Sequence, residues 1–291
     1  MSWLARVVGL LPGKWIKAVA RLQWRHRYLK WAFDRVAALI RSGEHTIQQG
    51  AGKGLRFAPG ISKAGYVLGT SEPRVQRALE LLLEPGMVVF DVGAHVGFLS
   101  VIAANLVGQH GQVVCFEPLE ENCRLIERNA RLNGFSHITV RCEALSDSDG
   151  IARFVTSAVA SWGRLAQISD RVANQIGEVD VAVRRLDGLV VERSIPPPHF
   201  IKVDAEGAEA LVLAGAKDLL ANHRPVLLIE LHGTNREVAD ILDGQGYRTI
   251  VLGSGTGIRT APWDAHVVAF PTALESVAAL VPALTDPRLA I

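Results

Sequence analysis

Residues 87–97 read Met87-Val88-Val89-Phe90-Asp91-Val92-Gly93-Ala94-His95-Val96-Gly97, and this stretch decides the fold. An apolar, β-branched run reaches an acid, a glycine permits a tight turn, and an apolar segment of helical length follows. A dinucleotide-binding turn has the spacing GxGxxG, whose glycines admit a pyrophosphate, whereas the spacing here is GxxxG. The turn combines an acid with the free backbone amides of a helix start, so it suits a ligand that carries both an amine and a carboxylate.

Short apolar strands separated by helix-length segments recur on the C-terminal side of this stretch. The predicted strands are Met87–Val92, Gln112–Phe116, Ile138–Cys142, His199–Val203 and Pro225–Ile229. Continuous apolar strands that alternate with helices predict a mostly parallel, Rossmann-like α/β sheet with helices on both faces.

An acid stands at the end of each predicted strand. These acids are Asp91, Glu117, Glu143, Asp204 and Glu230, which follow one another at intervals of 26, 26, 61 and 26 residues. Right-handed connections point every parallel strand the same way, so the five carboxylates are expected at one edge of the sheet, where such sheets bind ligands. The longer interval indicates an insertion over residues 145–198.

The acids nearest the glycine turn indicate a binding site for a ligand that contains a nucleoside. A carboxylate at the position of Glu117 accepts hydrogen bonds from a ribose diol in nucleotide-binding α/β folds. Glu143 and Ala144 follow the third strand, where an adenine edge would lie. The predicted cofactor contacts are Asp91, Gly93, Ala94, Gly97, Glu117, Glu143 and Ala144.

Five stretches together resemble the FkbM-type methyltransferases, a branch of the class I S-adenosylmethionine-dependent enzymes. They are Leu68–Pro73, Asp91–Gly97, Phe116–Pro118, Ile201–Glu209 and Pro225–His232. The resemblance implies the class I methyltransferase sheet, S-adenosylmethionine as cofactor, and O-methylation of a hydroxyl on a sugar, glycan or secondary metabolite. It also implies that Gly93, Gly97 and Glu117 contact the cofactor. Position 95 is histidine, where many relatives have asparagine.

The candidate catalytic residues follow the fourth and fifth strands. Asp204 is the first choice as general base or as ligand of the acceptor hydroxyl, because the fourth strand flanks the cofactor crevice. His232 is second, since a neutral imidazole titrates near physiological pH. Glu206 is a third candidate, with capping of the next helix as its alternative role.

Several neighbouring residues have structural alternatives. Glu209 is expected to be a solvated or structural helix residue, and His95 to cap its helix. Asp204, Glu206, Glu230 and His232 together would suit a hard divalent cation, but their spacing has no tight metal signature, so no metal ligand is assigned.

Composition limits the class of protein. The chain has 291 residues, 49% of them hydrophobic and 21% charged, and a net charge of +2, which gives no reason to expect a nucleic-acid partner. Three scattered cysteines, Cys115, Cys123 and Cys142, argue against a disulfide framework and fit a reducing compartment. No apolar run has the roughly 18 residues of a membrane-spanning helix, so the expected location is the cytoplasm.

Residues 1–48 are predicted to be a basic, helical N-terminal extension. A basic amphipathic helix suits either peripheral contact with an anionic membrane or packing on the main domain. The methyltransferase domain is expected over residues 49–270, with the insertion at 145–198 helping to shape the acceptor site, and a tail over 271–291. The pattern predicts no particular oligomeric state.

Two other functions fit parts of the pattern. An NAD-dependent oxidoreductase of similar fold shares the glycine turn and the ribose acid but requires the third glycine that this turn lacks. A non-catalytic binding protein that retained the fold would have no need of the acids at the strand ends.

Overall fold

The computed structural model describes residues 43–60, 62–157, 164–165, 168 and 175–289. In chain order its strands are β1 (His45–Thr46), β2 (Arg56–Phe57), β3 (Val88–Val92), β4 (Gln112–Phe116), β5 (Ile138–Arg141), β6 (Ala144–Leu145), β7 (Gly150–Ser157), β8 (Arg164–Leu165), β9 (Gln175–Arg184), β10 (Phe200–Val203), β11 (Val226–Glu230), β12 (Tyr247–Val251) and β13 (His266–Pro271). The helices are α1 (Ala64–Leu68), α2 (Pro73–Leu82), α3 (Phe98–Val107), α4 (Glu120–Leu132), α5 (Leu186–Val191), α6 (Glu209–Ala214), α7 (Lys217–Asn222), α8 (Asn235–Gly244), α9 (Glu275–Ala278) and α10 (Val281–Thr285).

The central sheet has seven strands in the order β12-β13-β11-β10-β3-β4-β5. Strands β5, β4, β3, β10 and β11 run parallel, whereas β13 is antiparallel to both of its neighbours. The chain moves outward from β3 to β5, returns to β10 on the other side of β3, and so reverses direction there. Ligands bind at such a reversal, at the carboxyl ends of the strands.

Alternate residues of the strands face two different apolar layers. Val89, Val113 and Phe200 pack with α2 and α3 on one face of the sheet. Phe90, Val114 and Ile201 pack with the helices that include α6 and α7 on the other face. Burial on both faces explains the continuous apolar strands, and the prediction of a mostly parallel sheet covered on both sides is confirmed.

The observed elements differ from the predicted ones mainly at their ends. The five predicted strands begin and end within about one residue of their observed limits. The glycine-rich segment 50–70 contains helix α1, whose C-cap is Gly69 with φ +72. The C-terminal tail packs on the main core through Val277 and Leu284, which are both buried.

The predicted insertion forms a second, smaller sheet. Its strands have the order β6-β9-β7-β8, and β7 and β9 form a long antiparallel pair. Phe154, Leu165 and Val183 pack beneath this sheet against Ala208, next to the end of β10. The small sheet therefore stands at the carboxyl edge of the central sheet.

The cysteine prediction requires one correction. The structure pairs Cys123 with Cys142 as a disulfide, with 6.1 Å between their Cα atoms, while Cys115 is free and buried. Cys123 lies in the first turn of α4 and Cys142 directly follows β5, and these two elements pack together. Spacing along the sequence gave no indication of this proximity.

Most of the predicted N-terminal extension lies outside the described residues, and the predicted membrane contact of residues 1–48 stays a prediction. Among the residues that the structure describes, none forms a helix that is long and apolar enough to cross a bilayer.

Candidate functional site

A cavity of about 420 Å³ opens at the carboxyl ends of β3, β4, β10 and β11. This volume lies within the range of small-molecule and cofactor sites. Its wall includes residues from the strand ends, from the segment before α2, and from the small sheet. The lining residues include Tyr66, Glu72, Gly93, His95, Glu117, Ala144, Phe154, Leu165, Asp204, Glu206, Glu230, His232 and Trp263.

The glycine turn after β3 lies directly against the end of β10. Gly93 has φ +71, and a Cβ atom there would overlap the carbonyl oxygen of Asp204. Only glycine therefore satisfies both the left-handed backbone and the close approach of the two loops. Gly97, with φ +79, is the N-cap of α3.

The backbone amides of the turn are not free, contrary to the prediction. The amides of Gly93 and Ala94 both donate to the carbonyl of Phe116, and that of His95 donates to Glu117 Oε2 at 2.9 Å. The neighbouring strand β4 ends opposite the turn and takes up these donors. The turn is thus held rigidly, and a ligand meets its surface and side chains rather than these three amides.

Glu117 connects the turn with helix α4. Its Oε1 accepts hydrogen bonds from Leu119 N and Asn122 Nδ2, both at 3.0 Å, while Oε2 accepts one from His95 N. Burial raises the pKa of Glu117 to about 7, against the opposing effect of these three hydrogen bonds. Because a carboxylate has about four acceptor positions, one remains on Oε2 for a ligand hydroxyl.

His95 contributes a polar atom with no protein partner. The ring lies on the cavity wall, its Nδ1 is 3.4 Å from the hydroxyl of Tyr66, and its buried Nε2 has no hydrogen-bond partner among the described residues. Burial lowers the pKa of His95 to about 4, and nearby Lys63 and Lys202 add to the effect, so the ring is neutral. If Nδ1 accepts from Tyr66, Nε2 carries the proton and can donate to an anionic group.

Lys202 connects the glycine turn after β3 with Asp204 at the end of β10. Its Nζ donates to Gly93 O at 3.0 Å and is 3.2 Å from Asp91 Oδ1 and 3.5 Å from Asp204 Oδ2. Burial lowers its pKa, but the charges of Asp91 and Asp204 outweigh burial and raise it above the ordinary value. The side chain is thus a buried cation that fixes the glycine turn relative to Asp204.

His232 lies among acids on the other side of the cavity. Its Nδ1 is 2.9 Å from Glu209 Oε1, and its Nε2 is 3.9 Å from Asp204 Oδ1 and 3.7 Å from Glu206 Oε2. Burial lowers the pKa of His232, but the hydrogen bond to Glu209 and the charges of Asp204 and Glu206 outweigh it and raise the pKa to about 9. The raised pKa favours the protonated imidazole at neutral pH, whereas the sequence indicated a neutral one, and the catalytic role of His232 stays a prediction.

The structural alternatives for Glu209, Glu206 and His95 have different outcomes. Of the two roles expected of Glu209, the structure shows the structural helix residue and not the solvated one: it is fully buried and accepts from Ala205 N, Gly207 N and Thr234 Oγ1 besides facing His232. Neither Glu206 nor His95 caps a helix: α6 begins at Glu209 and α3 at Phe98, and their N-caps are Ala208 and Gly97.

Asp204 combines a half-buried position with strong positive neighbours. Burial raises its pKa, but Lys202, His232 and His266 outweigh burial and leave the pKa below its ordinary value. The carboxylate is therefore ionised throughout the neutral range, and it faces the cavity.

The structure separates the predicted cofactor residues into two groups. Gly93, Glu117 and Ala144 line the cavity. The other four, Asp91, Ala94, Gly97 and Glu143, do not line the cavity. Asp91 is buried and accepts a hydrogen bond from Ser100 Oγ at 2.6 Å. Glu143 forms an ion pair with Arg141 at 2.7 Å.

Glu72 is the main site residue that the sequence analysis missed. It precedes α2 with φ +50, and its side chain lines the cavity. Burial raises its pKa and the charge of Asp204 adds to the effect. The only signal was its position in the stretch Leu68–Pro73 that carries the family resemblance, since it follows no strand of the sheet.

Comparison with known proteins agrees with this arrangement. The family model of the methyltransferase FkbM domain matches residues 91–249 of the chain. The 31-O-demethyl-FK506 methyltransferase FkbM of Streptomyces tacrolimicus is 28% identical over 197 residues, which is 58% of this chain and 75% of that protein. The hexuronic acid methyltransferase AglP of Haloferax volcanii is 31% identical over 161 residues, or 54% of this chain and 62% of that protein.

Two further proteins are similar to the chain. The 2-O-methyltransferase NoeI of Sinorhizobium fredii is 28% identical over 181 residues, covering 58% of this chain and 71% of that protein. Among solved structures, methyltransferase FkbM of Methylobacillus flagellatus aligns with 71% of this chain and 52% of its own, at 20% identity and a TM-score of 0.45.

Proposed function

The chain belongs to the FkbM methyltransferase family and is an S-adenosylmethionine-dependent O-methyltransferase, and from this premise we propose that it methylates a hydroxyl of a sugar or another small polyhydroxylated molecule. One observation carries the proposal. The cofactor-side acid Glu117 and the acceptor-side acid Asp204 line the same cavity, on opposite sides of the glycine turn. Family membership leaves no room for the oxidoreductase alternative.

The residues on the turn side of the cavity fit the cofactor. Glu117 keeps an acceptor position for a ribose hydroxyl, Gly93 presents a surface without a side chain, and His95 Nε2 is a buried polar atom that lacks a partner in the described structure. Ala144 adds an apolar wall for the adenine. S-adenosylmethionine, when bound, supplies an electrophilic methyl group on a sulfonium centre.

Asp204 is the proposed partner of the acceptor hydroxyl. The hydroxyl becomes strongly acidic as its oxygen bonds to the methyl carbon, so even a carboxylate with a low pKa is able to accept the proton that it loses. Because Lys202 and Asp91 hold Asp204 in a fixed position, most of the rate enhancement would come from orienting the hydroxyl.

The acceptor side of the cavity supports a polar, small-molecule acceptor. Carboxylates of Glu72, Glu206 and Glu230 offer hydrogen-bond acceptors for several hydroxyl groups. Phe154 and Leu165 of the small sheet add an apolar wall, so we propose that the insertion over residues 145–198 shapes the acceptor site. The relatives include a hexuronic acid methyltransferase and a 2-O-methyltransferase, which favours a sugar.

Transfer of a labelled methyl group tests the acceptor class. With S-adenosylmethionine labelled on the methyl carbon, we expect the label to appear in members of a panel of methyl glycosides and polyol macrolides, and to survive mild alkali. Ethers formed at hydroxyl groups are stable in alkali, whereas methyl esters of carboxylates are hydrolysed. Label that alkali releases would contradict the proposed hydroxyl acceptor.

The substitution Asp204→Asn tests the role of the carboxylate. We expect turnover to fall by about 10²–10⁴-fold, the range for loss of a general base, while the affinity for S-adenosylhomocysteine stays within about twofold. Initial rates and calorimetry measure the two effects separately. The control is Asp240→Asn, an exposed acid of α8 that pairs with Arg259. Normal turnover of Asp204→Asn would disprove the assignment.

The raised pKa of Glu117 predicts a pH dependence of cofactor binding. The carboxyl is protonated below about pH 7 and then accepts hydrogen bonds poorly, so binding favours the ionised form. Calorimetry should show the affinity for S-adenosylhomocysteine falling by up to about tenfold per pH unit as the pH falls from about 7 to about 5.5, and levelling off above about pH 8. Glu117→Gln should remove this slope, and an unchanged slope in that variant would assign it to another group.

A further inference from the structure

An exposed tryptophan lies in the wall of the cavity, on the side proposed for the acceptor. Trp263 is the one tryptophan in the part of the chain that the structure describes, and its exposed fraction is 59%. It belongs to the loop between β12 and β13, and it lines the cavity together with Glu206, Glu230 and Asp264. The cofactor contacts and the proton transfer proposed above do not use its side chain, so the indole ring is available to a ligand.

The segment after β11 holds this indole ring in place. Gly233 N donates to Trp263 O at 3.1 Å, and Leu231 N donates to Ala265 O at 2.9 Å. Gly233 has φ +82, and a Cβ atom there would be only 3.0 Å from Cδ1 and Nε1 of the indole. A residue without a side chain at position 233 therefore lets the ring pack directly on the backbone. A ring that is fixed before the ligand arrives lowers the entropic cost of binding.

His232 sets the distance between the indole and Asp204, the proposed partner of the acceptor hydroxyl. The imidazole and indole rings meet edge to face, with centroids 5.3 Å apart and an interplanar angle of 82°. His232 Nε2 is 3.9 Å from Asp204 Oδ1. A single imidazole ring thus separates the indole from Asp204. A hydroxyl bound at Asp204 and a ring in contact with the indole can therefore belong to one sugar residue.

The polar lining of the cavity complements the indole. Glu206, Glu230 and Asp264 add carboxylate oxygens to the same wall, and these oxygens accept hydrogen bonds from hydroxyl groups. The face of an indole ring carries partial negative charge, so it attracts the slightly positive C–H groups of a saturated ring. A pyranose has both features, since it presents hydroxyl groups at its edge and C–H groups on its face.

The charge of this wall disfavours an acidic sugar. The carboxyl groups on the acceptor side are those of Asp204, Glu206, Glu230 and Asp264, and the basic group among them is the imidazole of His232. Lys202 is already paired with Asp91 and Asp204. Lys63 lies near His95 of the glycine turn, where it lowers the pKa of that ring. A carboxylate on the acceptor would therefore meet mainly like charges, which oppose its binding.

We propose that Trp263 is the stacking platform for one neutral sugar ring, whose reacting hydroxyl lies at Asp204. The inference rests on the proposed function and deepens it, because it names a neutral pyranoside as the acceptor class and adds a residue that determines specificity. The indole binds the C–H face of the ring, and the carboxylates of Glu206 and Glu230 accept from its other hydroxyl groups. Stacking fixes the orientation of the ring, so that one hydroxyl is presented for methyl transfer.

Nuclear magnetic resonance with simple glycosides tests the platform. The full chain, saturated with S-adenosylhomocysteine, is titrated with the methyl β-glycosides of glucose, galactose, mannose and glucuronic acid, and saturation transfer measures their binding. We expect at least one neutral glycoside to bind saturably, and the glucuronide to bind about tenfold more weakly or less. Trp263→Ala should weaken binding of the neutral glycoside by about tenfold or more, the effect of removing a stacking aromatic ring. Trp263→Phe, which keeps an aromatic face, should restore most of the affinity.

Ile151→Ala is the matched control. Ile151 is also a large, exposed apolar residue, at 79%, but it does not line the cavity, so this variant should bind the glycosides as the unmodified chain does. If Trp263→Ala fails to fold by circular dichroism, Trp263→Leu replaces it with the same expected loss, because leucine is apolar and has no aromatic face.

The outcomes separate this inference from the proposed function. Equal binding of the neutral glycosides by the unmodified chain and by Trp263→Ala would overturn the platform, as would an unmodified chain that binds none of them. Glucuronide binding as tight as that of the neutral glycosides would overturn the acceptor class. Release of the transferred methyl label by alkali would contradict the proposed function itself. A label that is stable in alkali, together with unchanged glycoside binding by Trp263→Ala, would overturn the platform alone.

Discussion

Gly93→Ala is expected to weaken binding of S-adenosylhomocysteine at least a hundredfold and to lower the melting temperature. An alanine at φ +71 adds about 1–2 kcal/mol of backbone strain. The larger effect is steric, because its Cβ would overlap the carbonyl oxygen of Asp204. Backbone on both sides of the contact would have to separate, and Lys202, which donates to Gly93 and pairs with Asp204, would lose one of these partners.

Gly134→Ala is a matched control for this variant. Gly134 has φ +69, but a Cβ atom there would meet no heavy atom within 4 Å. The two variants thus share the strain and differ in the contact. Gly134→Ala should lower the melting temperature by about 2–4 °C for each kcal/mol of strain and leave cofactor affinity unchanged. Equal cofactor affinities of the two variants would show that the contact between the turn and β10 has no role in forming the site.

The residues at the carboxyl edge of the central sheet were predictable, because their positions depend on the spacing of the strands along the sequence. Repeated strand–helix units place successive strand ends side by side, and this is why Glu117, Asp204 and Glu230 line one cavity. The same argument placed Asp91 and Glu143 at the edge, but both side chains turn away to a local partner, Ser100 and Arg141 respectively. Spacing predicts where a residue lies along a strand, and it does not predict which partner its side chain chooses.

The acceptor side was less predictable because distant segments form it. Glu72 reaches the cavity from a segment before the first strand of the central sheet, where no periodic pattern applies. The buried position of Glu209 follows from four hydrogen bonds, two of them to side chains of the segment after β11. The pairing of Cys123 with Cys142 likewise depends on how α4 packs beside β5.

Glu117→Ala is expected to weaken S-adenosylhomocysteine binding at least a hundredfold, as measured by calorimetry. A hydrogen bond to a charged carboxylate contributes about 1.5–3 kcal/mol, so loss of the ribose contact alone gives at least tenfold. The same substitution removes the acceptor of His95 N, Leu119 N and Asn122, which hold the glycine turn against α4. The substitution therefore removes the ribose acceptor and also loosens the glycine turn. Each effect lowers the affinity for S-adenosylhomocysteine, and the two fold-changes multiply.

Two further variants distinguish these contributions. Glu117→Gln keeps one carbonyl oxygen and the shape of the side chain but no ionised acceptor, so we expect an intermediate loss of affinity with little change in melting temperature. Glu120→Ala, which removes an exposed acid of α4 three residues away, should bind S-adenosylhomocysteine normally. Affinity within about threefold of the unmodified chain in both Glu117 variants would mean that the ribose lies elsewhere in the cavity, since a lost charge-assisted hydrogen bond costs more than that. The buried carboxylate would then serve only to hold the turn, and the cofactor would have to be recognised through His95 and the acids beyond Gly93.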